Sequence, residues 1–148
     1  VEHPNPLLRT VSRPIERIDD KLVRLSQLMI ATLRYEALFE FFFRASLYKG
    51  LAAPQVGRSI RMIVCGLYGE ITVLINPEII ERRGTYASKE FCLSLPGQET
   101  RIIQRPNLVK VRYTKPDNSE TILAAKGSSA ALLAHEIDHL DGVLYIDY

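Results

Sequence analysis

Residues 132–142 read LLAHEIDHLDG, with two histidines four positions apart and a glutamate directly after the first. On a helix, residues four apart differ by about 40° in direction and about 6 Å along the axis, so His135 and His139 leave the same face. Two imidazoles so placed grip one metal ion. Glu136 follows the first of them, where its carboxylate reaches a water at the metal without taking a coordination site. That is a metallohydrolase arrangement. The bland alternative is a pair of ordinary helical histidines buried beside Leu132, Leu133, Ile137 and Leu140. Without partners, such imidazoles cost on the order of a few kcal/mol. A metal supplies the partner.

A catalytic site of this kind takes three protein ligands and keeps one position open. Downstream of His139 only Asp141 and Asp147 offer a third ligand, and the one remaining histidine, His3, stands at the far end of the chain. A thiolate would serve equally. Cys65, in the apolar run RMIVCGL, reads as buried and inert, whereas Cys92 lies in the polar, turn-rich SKEFCLSLPGQ. Spacing leaves these alternatives open.

Outward from this helix, Gly127 and Gly142 bound it, with Ser128 or Ser129 expected as its cap. Upstream, IRMIVCGL (60–67) and ITVLINP (71–77) flank the turn YGE and predict a hairpin. Further strands are expected at LVKVRY (108–113) and TILAA (121–125), separated by KPDNSE. Residues 1–14, with three prolines, read as extended chain and turns. From Asp19 or Asp20, apolar residues at Leu22, Leu25, Leu28, Met29, Ile30 and Leu33 approach a helical period that runs to about Ala45. Phe41, Phe42 and Phe43 in succession do not share one helix face. Helix, strands and helix make an α+β fold, with antiparallel strands packed around the metal-binding helix.

The 148 residues suit a single domain, 1–148, and 47% hydrophobic with 24% charged residues is the composition of a globular protein. A net charge of +2, spread over short runs such as RSIR (58–61), does not favour nucleic acid. Two cysteines build no disulfide framework, which suits a reducing compartment. Glu40 and Arg44 interrupt the greasiest segment, EALFEFFFRASLY (36–48), so no membrane span and no secretory signal is expected.

Three segments in order, GLAAPQ (50–55), EFCLS (90–94) and HEIDH (135–139), resemble the motif set of the peptide deformylases. HPNPLLRTVSRP, LINPEI and HLDGVLYID extend the likeness over nearly the whole chain. The resemblance implies that Cys92, His135 and His139 bind one divalent metal ion. Fe²⁺ is expected in cells, with Zn²⁺ or another divalent ion as the alternative. It implies Glu136 as general base and then acid, and Gln55 with the Leu93 backbone N–H as donors to the formyl oxygen. Gly50, Lys49 and Phe91 fall where the substrate peptide lies. The implied reaction removes the N-formyl group from formyl-methionyl nascent peptides and releases formate. The expected setting is a bacterial-type cytoplasm or an organelle, near the ribosomal exit tunnel.

The chain departs from the pattern in several places. Tyr48 stands for a glycine, Lys49 for an apolar residue of the methionine pocket, Phe91 for the glycine before the cysteine, and Ala134 for a frequent glutamine. ALFEFFFRAS (37–46) lengthens the approach to the first motif, as a remodelled lid would. Two other activities fit the same residues: a non-catalytic relative that keeps its metal, and a metallopeptidase.

Overall fold

Tyr68 and Gly69 both take positive φ, 52° and 85°, which is the geometry a two-residue hairpin turn needs. This computed structural model describes the backbone of residues 1–43 and 50–148 and the side chains of residues 1–35 and 50–148. The turn joins β2 (Met62–Leu67) to β3 (Glu70–Arg83), paired antiparallel from Met62↔Ile75 to Leu67↔Glu70. The expected hairpin is therefore present. β6 (Leu108–Thr114) and β7 (Glu120–Lys126) form the second expected pair. Three short strands escaped the sequence reading: β1 (Gly50–Ala52), β4 (Tyr86–Glu90) and β5 (Arg101–Arg105).

One antiparallel sheet has the order β1-β2-β3-β6-β7, and β4 pairs with β5 in a separate ribbon. Strand β2 reads as a nearly unbroken apolar run because both of its faces are covered. Met62 and Val64 join Leu22, Met29 and Leu33 of helix α1 (Asp20–Phe43) in one core cluster. Ile63 and Cys65 turn the other way and pack with Leu133, Ile137 and Leu140 of helix α2 (Ser128–Leu140). Each such aliphatic side chain contributes about 1.5–3 kcal/mol by leaving water. The α+β architecture, with antiparallel strands packed on the histidine-bearing helix, is as expected.

Local chemistry sets the element ends. Asp19 Oδ1 accepts the Leu22 N–H at 2.9 Å and starts α1. Leu28, counted above in the apolar pattern, is instead 66% exposed. The expected serine cap of α2 is corrected: the N-cap is Gly127 at φ 57°, and Ser128 is already helical. Gly142 ends α2 at φ 72°, and an added Cβ there would lie 2.6 Å from the Arg9 carbonyl oxygen. Strand β3 changes register between Ile75 and Glu78, next to Pro77, which has no N–H to give to a ladder. In that break Asn76 takes φ 49°, and its amide exchanges two 2.8 Å hydrogen bonds with the Ile15 backbone. The N-terminal segment is thereby pinned to the sheet. The side chains of residues 36–43, including the three phenylalanines, lie outside the described residues, as do Tyr48, Lys49 and residues 44–46 of the expected lid.

Candidate active site and metal centre

The buried face of α2 is built by Ala130, Leu133, Ile137 and Leu140, which dock on the sheet. That orientation carries His135, Glu136 and His139 to the side of the helix facing the loop after β4. Cys92 lies on this loop. Its carbonyl accepts the Leu95 N–H at 3.0 Å, and Leu95 anchors the turn in a small core with Leu8, Ile103, Leu144 and Tyr145. The result brings one donor atom each of Cys92, His135 and His139 within 4.8 Å of one another. His139 Nε2 is 3.3 Å from Cys92 Sγ. Among the described residues these three form the group suited to hold a metal.

The other ligand candidates are accounted for elsewhere. Asp141 binds Arg61 at 2.6 Å, and Asp147 pairs with Arg9 while accepting the Leu144 N–H. His3 gives its backbone N–H to Ser94 and is not in the cluster.

His135 is held by a carboxylate: its Nδ1 donates to Glu90 Oε2 at 2.8 Å, which leaves Nε2 as the nitrogen able to bind a metal. Glu90 in turn takes a two-pronged contact from Arg105, Nε to Oε1 at 2.7 Å and Nη2 to Oε2 at 2.9 Å. Arg105 is 2% exposed and also donates to Asp138 and, at 3.0 Å, to the Tyr148 hydroxyl. Burial would raise the Glu90 pKa, but the bonds from Arg105 and His135 outweigh it and hold the group down to about 2. Burial, helped by the nearby positive charges of His135 and Arg105 and only partly opposed by Glu90, keeps the His139 ring neutral, with a pKa pushed down to about 3. A neutral imidazole is what metal ligation needs.

Glu136 is 3% exposed, and burial raises its carboxyl pKa to about 7. Gly50 presses against it: a Cβ on Gly50 would lie 2.4 Å from Glu136 Cγ. The first motif therefore begins with glycine for a steric reason. Glu136 Oε2 and His139 Nδ1 are buried polar atoms without a partner among the described residues. Such orphans accord with a site that holds further polar atoms when at work.

Gln55 is oriented from both ends of its amide. Its Oε1 accepts the Ala52 N–H at 2.8 Å, so its Nε2 faces Ser94 Oγ at 3.1 Å and Cys92 Sγ at 3.6 Å. Gly50, Gln55, Phe91, Leu93, His135 and Glu136 line one cleft of about 500 Å³. The cleft runs between β1 and β4, each of which, among the described residues, pairs on one side only, with β2 and β5 respectively. Phe91 adopts no positive φ, so the backbone accepts phenylalanine without strain. Lys49 lies outside the described residues.

The thiolate and two imidazoles fit a first-row divalent cation by donor type and by mutual distance. Sequence reading missed the Glu90–Arg105–Asp138–Tyr148 network. Its signals were a glutamate two residues before the cysteine and an arginine at an inward position of a strand.

The polypeptide deformylase family model matches residues 1–148. The peptide deformylase of Mesorhizobium japonicum is 41% identical over 98% of this chain and 80% of its own length. That of Natranaerobius thermophilus is 42% identical over 97% of this chain and 86% of its own. Among solved structures, the peptide deformylase of Thermotoga maritima superposes with a TM-score of 0.84 at 33% identity, covering 99% of this chain and 92% of that one. The Synechococcus elongatus peptide deformylase in complex with actinonin gives 0.85 at 35% identity, covering 99% and 75%.

Proposed function

The chain belongs to the polypeptide deformylase family and is a peptide deformylase, a hydrolase acting on the N-terminal formyl-methionine of new polypeptides; from that premise we propose which residues carry the reaction. The observation that carries the assignment is the meeting of Cys92, His135 and His139 beside the buried carboxylate of Glu136. When bound by those three side chains, a divalent cation supplies the Lewis acidity that brings a water toward ionisation at neutral pH. Fe²⁺ is the ion we assign in cells, with Zn²⁺ or another divalent ion as a replacement.

The protein's own groups do the rest. Water adds to the formyl carbon as Glu136 Oε2 takes its proton, and a carboxyl with pKa near 7 is poised both to accept and to return one. The C–N bond then breaks, Glu136 delivers the proton to the amine nitrogen, and formate leaves. As the carbonyl oxygen gains negative charge, Gln55 Nε2 and the Leu93 N–H donate to it. The hydrogen bond from the Ala52 N–H to Gln55 Oε1 fixes which end of the side chain faces that oxygen. Gly50 offers backbone to an extended peptide lying between the open edges of β1 and β4.

Residues 1–148 act in this reading as one catalytic domain. Formylated nascent peptides are the substrates, met near the ribosomal exit tunnel in a bacterial-type cytoplasm; no described helix is long and apolar enough to cross a membrane. The test is formate release from formyl-Met-Ala-Ser by anaerobically prepared Fe²⁺-loaded protein, beside a Glu136→Ala variant. Release by the wild type and its loss in the variant is the expected result. Equal, slow release by both would overturn the assignment, and cleavage of internal peptide bonds would point to a peptidase.

A further inference from the structure

Phe91 and Leu93 bracket Cys92 and are each 59% exposed, while Cys92 between them is buried. Both stand on the wall of the catalytic cleft, with His135 and Glu136. Neither belongs to the small core under this loop, which is closed by Cys92, Leu95, Ile103, Leu144 and Tyr145. Their exposure is therefore not a by-product of anchoring the loop. Two large apolar side chains in water at a cleft mouth gain free energy when a ligand covers them.

The deformylase reading says what covers them, and the inference rests on it. A peptide extended between β1 and β4 sends successive side chains to opposite faces. When the methionine side chain enters the cleft toward Ala131 and Leu132, which line its interior, the next residue points outward. The outward lip nearest the ligand Cys92 is Phe91 with Leu93. We propose that Phe91, supported by Leu93, is a specificity-determining residue that favours formyl-methionyl peptides with an apolar or aromatic second residue. Lys89 also borders the cleft and is exposed, so an acidic second residue is the sharpest competitor.

The experiment measures kcat/KM for formyl-Met-X-Ser with X as Leu, Phe, Gly and Asp, on the Fe²⁺-loaded wild type and on Phe91→Gly and Phe91→Leu. Wild type is expected to favour Leu and Phe over Gly and Asp by about 10-fold, a span typical of modest apolar contacts. In Phe91→Gly the four values should fall within about 3-fold of one another, and Phe91→Leu should restore the preference for Leu. Dissociation constants of the product peptides Met-X-Ser, measured by calorimetry, should follow the same order. A flat wild-type series, a preference for Asp, or a preference that survives in Phe91→Gly overturns the proposal. Absence of formate from every peptide would defeat the deformylase assignment instead, and the calorimetric order would still test the lip.

Discussion

Glu90 Oε2 accepts a hydrogen bond from His135 Nδ1 at 2.8 Å, and Arg105 holds the same carboxylate from the other side. The contact fixes the tautomer and the plane of a proposed ligand two elements away. Glu90→Gln keeps the shape and removes the charge, so metal affinity should fall by about 10- to 100-fold. Competition with a chromophoric chelator measures this. An unchanged affinity would mean that His135 needs no carboxylate to orient it.

The same carboxylate sets an acid limit on stability. Its folded pKa, about 2, lies below the ordinary 4.5, so its contribution is fully present above about 4.5 and is lost as pH falls toward 2. A shift of that size corresponds to roughly 3 kcal/mol. Urea midpoints of the metal-free protein should fall steeply between pH 4.5 and 2.5, and the Glu90→Gln variant should show a flatter limb. Parallel limbs in the two proteins would assign acid sensitivity to other groups.

Gly50→Ala introduces a methyl group 2.4 Å from Glu136 Cγ, and either the Glu136 side chain or strand β1 must shift to relieve that overlap. Because the role proposed for Glu136 requires it to face the reacting atoms, a displacement near 1 Å is expected to lower kcat by about 100-fold. The fold should survive, since Gly50 lies at the edge strand β1. Full turnover in the variant would show that Glu136 tolerates a second position.

Gln55→Ala removes one of the two proposed donors to the developing charge. The expected loss is about 10²- to 10³-fold in kcat, with KM changed much less, because the bond matters most when the oxygen is charged. If KM rises and kcat holds, Gln55 binds the substrate and does not stabilise the charged state.

Much of the fold was legible because local patterns carried it. The period of α1, the run of β2, the turn at Tyr68–Gly69 and the glycine after α2 are all readable from neighbouring residues. β1 and β4 were not, since three and five residues give too little period, and their pairing is decided by β2 and β5. Leu28 fits the helical period yet faces water, while Leu22, Met29 and Leu33 are the α1 residues buried against the sheet.

By itself the sequence determined that one helix presents His135, Glu136 and His139 together, since helical geometry depends on spacing alone. Which residue joins them was a tertiary decision. Spacing left Asp141, Asp147, His3 and Cys92 open and only the likeness of EFCLS to a family motif favoured Cys92; physically, packing of the Cys92 turn on Leu95 and Tyr145 is what brings a thiol to the imidazoles. Tertiary structure alone also decided the depth at which Glu90 and Arg105 are buried, and hence the charges they keep. A pKa depends on what surrounds a group in space, and the sequence order of Glu90, Arg105 and His135 gives no sign that they touch.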